Sequence, residues 1–223
     1  TVVMTGHQKL TQVTIKPELL DPAEAEMLSD LLIAAVNQAV DQSQKVAADL
    51  ERLMDVVRTV GGNFFETIVA ANDGGSCIRW FSTWAEGRHN LVQCDFSAMI
   101  SPALFRQFAV PDLRRICGWL DCPAYHIDGE QQTRHLDLLL DIDAIRMFQW
   151  TNVAGQRPVT QFIPVFRRIQ EAKRCLLLFC EARDIEMLLS ELSPKGLFLN
   201  AGVVDTPEQA DDVVRLVSRL TAR

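Results

Sequence analysis

His126 and Asp128 stand two residues apart in the run Ala124-Tyr125-His126-Ile127-Asp128-Gly129-Glu130. The apolar residues among them read as a β-strand, and on a strand residues i and i+2 project from the same face. The run therefore presents an imidazole and a carboxylate side by side, just ahead of a glycine turn and a polar, helix-compatible segment. Three kinds of chemistry suit such a pair: metal ligation, general acid–base transfer, or a core histidine satisfied by a neighbouring acceptor. Other templates are absent from the sequence: it has no glycine-rich phosphate loop, no Gly-x-Ser-x-Gly elbow and no His-Glu-x-x-His helix. His7 and His89 fall in turns, and His135 falls on a helix, where it reads as a surface group. Arg114-Arg115 and Arg167-Arg168 read as solvated pairs on helices. Trp80, Phe81 and Trp84 either floor a pocket or are simply buried.

Length and composition narrow the setting in which this pair works. With 223 residues, 48% of them hydrophobic, the chain is long enough to bury a sizeable core, as one large or two small domains. Its net charge of −7 gives no overall basic footprint, so a nucleic-acid partner would need a local patch. No apolar run reaches the length of a membrane span and no signal-like N-terminus is present, so the expected location is the cytoplasm, without a membrane partner. The six cysteines, Cys77, Cys94, Cys117, Cys122, Cys175 and Cys180, form no Cys-x-x-Cys pair and read as reduced, packed thiols.

The N-terminal stretch reads as a β-hairpin, Val2–Thr5 and Leu10–Ile15 around Gly6-His7-Gln8, followed by a long helix. Asp21-Pro22-Ala23-Glu24 is a helix start, with Asp21 as cap and Pro22 in the first position. Leu28, Leu31, Leu32, Ala35, Val36, Ala39 and Val40 then recur at the spacing of one buried helical face. The helix can run to Val57, with Gly61-Gly62 as punctuation before a second helix over 63–71. Thr11-Gln12-Val13-Thr14-Ile15-Lys16-Pro17-Glu18-Leu19-Leu20-Asp21, with the 26–31 and 34–39 segments after it, resembles the YbaB/EbfC nucleoid-associated proteins. The resemblance implies a small dimeric DNA-binding fold over residues 1–57, here without the family's long N-terminal helix. Lys9, Lys16 and Lys45 face Glu18, Asp21, Glu24, Glu26, Asp30 and Asp41, a weak endowment for binding phosphates.

From residue 62 the rhythm changes. Strand-length apolar runs at 77–81, 91–96, 124–127, 146–150, 175–180 and 196–200 alternate with helical stretches. The helices start at Ser101-Pro102, kinked at Pro111, and then span 131–140, 164–173, 184–192 and 206–220. This alternation implies a parallel sheet covered by helices. Gln93-Cys94-Asp95-Phe96-Ser97-Ala98-Met99-Ile100-Ser101-Pro102, Tyr125-His126-Ile127-Asp128-Gly129, the 145–150 run and Pro194-Lys195-Gly196-Leu197-Phe198-Leu199-Asn200 resemble the uroporphyrinogen decarboxylase superfamily. The likeness is to members beside the corrinoid methyltransferases. It implies an α/β fold in which residues 62–223 form a partial (β/α)8 (TIM) barrel, preceded by the small α+β segment of hairpin and long helix. Five or six of eight strands are readable, so two open sheet edges are expected, one of them covered by strands near the N-terminus or by a second copy of the chain.

In such a barrel the C-terminal strand ends build the site. The resemblance thus implies His126, Asp128 and Glu181 as catalytic groups, with Cys94, Asp95, Gln149, Trp150, Cys180 and Asn200 lining a substrate pocket. Related methyltransferases hold zinc with a His-x-Cys pair and a later cysteine. Asp128 stands where that cysteine would lie and Asn200-Ala201-Gly202 offers none, leaving at most a weaker zinc site from His126, Asp128 and Glu181. The implied activity is that of a decarboxylase-like lyase or a methyltransferase, taking a tetrapyrrole or a corrinoid-linked substrate, in a homo-oligomer. The alternative is a nucleoid-associated DNA-binding module fused to a catalytically inert barrel fragment.

Overall fold

A single helix, α1 (Ala25–Ala71), runs unbroken through Gly61-Gly62 in the computed structural model, which describes residues 1–4, 10–17, 20, 25–153, 155–202 and 205–222. The break expected at the glycines does not occur. Each costs about 1 kcal/mol relative to alanine in a helix interior, and the strong helix formers before them, with no proline in the element, outweigh that cost. Arg52 pairs with Asp49 at 3.2 Å and Arg58 with Asp55, adding exposed i,i+3 support, and Arg58 also reaches Glu51 two turns earlier at 3.8 Å.

The chain divides into Thr1–Phe64 and Phe65–Arg223. In the first part, β1 (Val2–Met4) pairs antiparallel with β2 (Leu10–Val13), Val2 opposite Val13 and Val3 opposite Gln12. Thr1 and Thr14 exchange backbone hydrogen bonds of 2.8 Å, extending the ladder beyond the strand ends. The hairpin lies beside the apolar face of α1: Val2, Val13 and Ile15 line a 340 Å³ groove with Leu28, Leu31, Leu32 and Ala35. A hairpin and a long helix are thus what the sequence pattern implied. The Gly6-His7-Gln8 turn and the Asp21-Pro22-Ala23-Glu24 cap lie outside the described residues.

The second part is built on a five-stranded parallel sheet in consecutive order: β5 (His89–Val92), β6 (Cys122–Asp128), β7 (Met147–Thr151), β8 (Cys175–Phe179) and β9 (Leu197–Asn200). A full (β/α)8 barrel is not shown. The β5–β6 crossover holds α2 (Pro102–Leu104), a π-turn over Phe105–Ala109 and α3 (Val110–Trp119). Ser101 caps it, its hydroxyl accepting from the Leu104 N–H at 3.3 Å, and the π-turn ends where Pro111 removes a backbone donor. The later crossovers hold α4 (Leu136–Leu140), α5 (Ile163–Glu171) and α6 (Ile185–Glu191), and α7 (Pro207–Thr221) follows β9. The 131–140 stretch, read as one helix, is instead a 3₁₀ segment over Glu130–His135 leading into α4.

The run at 77–81 does not join this sheet. β3 (Gly75–Ile78) forms an antiparallel hairpin with β4 (Thr83–Glu86), turned by Ser82 at φ 53°. This hairpin meets the β5 edge. The Ser76 hydroxyl accepts from the His89 N–H at 2.6 Å and donates to the Gly87 carbonyl at 2.8 Å. His89, read as a turn residue, is a buried strand residue. Its Nδ1 donates to the Cys122 carbonyl at 2.6 Å and its Nε2 accepts from Thr83 Oγ1 at 3.0 Å.

Strand parity divides the sheet into two unlike faces. Val92, Tyr125, Phe148 and Leu176, then Ile127, Trp150 and Leu178, point to the helix side, where Leu113, Cys117, Phe166, Ile169 and Leu188 bury them. Burying each large side chain contributes about 1.5–3 kcal/mol, so this face holds the core. The opposite face starts apolar, with Leu91, Ala124 and Met147 packed beside Ile78 and Phe81 of the hairpin, and turns polar toward the C-terminal strand ends.

Candidate functional site

His126 and Asp128 emerge from β6 on the face away from the helices, as their spacing requires. Gln149 lies beside His126 in the register of β7 and is fully buried. Its Nε2 donates to Thr151 Oγ1 at 2.9 Å, which leaves its Oε1 as the acceptor for His126 Nδ1–H. The imidazole is thereby held with its Nε2 lone pair outward, 3.9 Å from Asp128 Oδ1. Phe81 stacks on the ring, with centroids 6.1 Å apart and planes inclined by 27°. Asp95 arrives from the 3₁₀ turn after β5 and accepts from Gln93 Nε2 at 3.0 Å. One nitrogen or oxygen from each of Asp95, His126 and Asp128 falls within 4.8 Å of the others.

The two turns that carry the aspartates are latched together. Gln132, Arg134 and His135, all in the 3₁₀ segment after β6, donate to the carbonyls of Cys94 at 3.5 Å, Ala98 at 3.1 Å and Ser97 at 2.9 Å. Gln132 Oε1 also accepts from the Asp128 N–H at 3.3 Å. His135 is therefore not a surface group: it is buried and stacks on Phe105 at 4.3 Å. Burial lowers its pKa, and the nearby Arg134 charge acts in the same direction against the Ser97 hydrogen bond. Gly129, at φ 85°, makes the turn between β6 and this segment, where a Cβ would stand 2.5 Å from the Gln156 amide.

The remaining sequence-derived site residues are dispersed. Cys94 is half-buried, its thiol pKa raised chiefly by burial, and its carbonyl serves the latch. Trp150 points to the helix side, between Phe162 and Phe166, because it is adjacent to Gln149 and so has opposite parity. Cys180 and Glu181 line a different concavity, an open groove of 600 Å³ shared with Asn152, Gln156, Phe179 and Arg183. Burial pushes the Cys180 thiol up to about 11, which makes it a poor nucleophile. Glu181 forms a capping box with Asp184 and an ion pair with Arg183 at 2.8 Å, and it is not part of the Asp95–His126–Asp128 group. Asn200 ends β9, its Oδ1 accepting from the Gly202 N–H at 3.3 Å. The sequence reading missed Gln132 and the stacking role of Phe81. Gln132 is three residues from Gly129, and a tight turn rather than a helix there would have pointed it back toward the strand ends.

The chain is thus a hairpin-and-helix segment joined to a parallel α/β unit with a polar cluster at its strand ends. Residues 1–55 match the YbaB/EbfC DNA-binding family. A nucleoid-associated protein of Desulforamulus reducens is 55% identical over 47 residues, 21% of this chain and 45% of that protein. A nucleoid-associated protein of Acetivibrio thermocellus is 40% identical over 65 residues, 29% of this chain and 58% of the relative. One from Chloroflexus aurantiacus is 41% identical over 64 residues, covering 29% and 62%. The chain spans about half the length of the curated relatives it matches. No solved structure matches it. No helix among the described residues is long and apolar enough to cross a membrane.

Proposed function

We propose that the chain is a nucleoid-associated protein that binds DNA through its N-terminal segment and works in the cytoplasm as a homo-oligomer. The match of residues 1–55 to a DNA-binding family carries this reading. The uncovered stripe on α1 supports the oligomer. Val46, Leu50, Leu53, Val57 and Val60 are 56–64% exposed, and their alternating spacing of four and three residues is that of a coiled-coil seam. The charged pairs Arg52–Asp49 and Arg58–Asp55 use other positions of the helix, so they do not interrupt the apolar stripe. The test is retention of the full chain on duplex DNA across a salt series. Binding that weakens as salt rises is expected, and no DNA binding at low salt would overturn the reading.

A second reading concerns residues 65–223. Consecutive parallel strand order, with Asp95, His126 and Asp128 together at the C-terminal ends, favours a uroporphyrinogen decarboxylase-like partial barrel. His126 Nε2 and Asp128 would then move protons on a tetrapyrrole or a corrinoid-linked substrate, with Asp95 and Gln149 beside them, and Glu181, Cys180 and Asn200 further out. Trp80 and Trp84, 79% and 54% exposed, are fluorescent reporters for a titration with a porphyrin or a cobalamin. Unchanged emission with both ligands would dismiss it.

A further inference from the structure

We propose that Asp95, His126 and Asp128 form a binding site for a divalent transition-metal ion, with one imidazole nitrogen and two carboxylate oxygens as ligands and the remaining positions open. The inference depends on neither functional reading above.

Three observations carry it. The three donor atoms lie within 4.8 Å of one another while coming from two separate strand ends, so chain proximity alone does not explain their meeting. The ring nitrogen that faces the carboxylates carries the lone pair, because the other donates to Gln149, and Gln149 is fully buried with its amide fixed by Thr151. A metal-bound histidine almost always donates its other ring N–H to an outer acceptor that fixes the tautomer and aims the ligating nitrogen, and the Gln149 amide oxygen is such an acceptor for His126. Asp95 is likewise steadied by Gln93, and the two turns are locked to each other by Gln132, Arg134 and His135.

The donor set selects the kind of ion. An imidazole favours transition metals over magnesium and calcium, and two carboxylates without a thiolate disfavour soft ions. The set differs from the one implied by the sequence resemblance, because Asp95 replaces Glu181 as the second carboxylate. Three protein ligands leave room for water or a substrate oxygen, the arrangement of a Lewis-acid site rather than a closed structural one.

The experiment is a titration of the full chain with Mn²⁺, followed by loss of the free-ion paramagnetic resonance signal. Manganese is chosen because thiols, including the exposed Cys77 and Cys175, hold it weakly. One ion per chain is expected. Asp95→Asn should weaken binding at least about 10-fold without changing the melting temperature of the metal-free protein, since Asp95 is exposed. Gln149→Leu should weaken it about 10- to 100-fold. No retained ion in the unmodified chain, or unchanged affinity in Asp95→Asn, overturns the proposal.

Discussion

Acidification should loosen the latch between the turns that carry Asp95 and Asp128, and His135 is the group through which it acts. The ring is 1% exposed, donates from Nε2 to the Ser97 carbonyl at 2.9 Å and presents a buried Nδ1 with no hydrogen-bond partner among the described residues. Protonation would place a second N–H on that nitrogen, beside Phe105 and near the Arg134 charge. The folded pKa is therefore lowered, while the unfolded histidine titrates near its ordinary value of about 6.5. Between those two values the unfolded chain binds more protons. The contribution is thus fully present above pH about 6.5 and is lost as pH falls toward the folded pKa. One proton limits the slope to about 1.4 kcal/mol per pH unit, or roughly 2–4 °C in melting temperature per kcal/mol for a chain of this size. His135→Gln keeps a donor for Ser97 but does not titrate. Urea unfolding from pH 7.5 to 5 should show the gap between the two proteins narrowing below pH about 6.5, with amide exchange over 95–99 rising first in the unmodified chain. Parallel pH profiles would refute the argument.

Truncating the core on the helix side should be far costlier. Trp150→Ala removes a fully buried ring packed on Phe162 and Phe166, and a loss of about 3–5 kcal/mol in denaturant unfolding is expected. On α1, Leu53→Glu combined with Val57→Glu should leave helicity by circular dichroism unchanged but shift the sedimentation profile to the monomer, because both positions are more than half exposed in the single chain. A dimer that survives both charges would remove the seam.

Much of the sheet was legible because β6, β7 and β8 are apolar enough to stand out as runs, and α7 coincides to within a residue with the helical stretch read at 206–220, with Thr206 Oγ1 accepting from the Gln209 N–H at 3.3 Å at its start. What was not legible has physical causes. The β3–β4 hairpin has short strands and turns at Ser82 with a positive φ, which local residue type does not announce. His135 looked exposed only because a helix was assumed where a tighter 3₁₀ segment turns it inward. At the site, spacing correctly put His126 and Asp128 on one face, and the same parity rule forbids Gln149 and Trp150 from sharing one. Glu181 was grouped with His126 from its place at a strand end, whereas its carboxylate is committed to Asp184 and Arg183.

The two-faced sheet also bears on how this molecule could change over generations. Odd and even positions of one strand answer to different demands: Tyr125, Ile127, Phe148 and Trp150 hold the scaffold, while His126, Asp128, Gln149 and Thr151 present chemical groups beside the hairpin. Replacement at His126 or Asp128 alters what the surface can recognise while sparing most of the burial that keeps the chain folded. New chemistry is therefore accessible to this unit by single substitutions that leave its architecture standing.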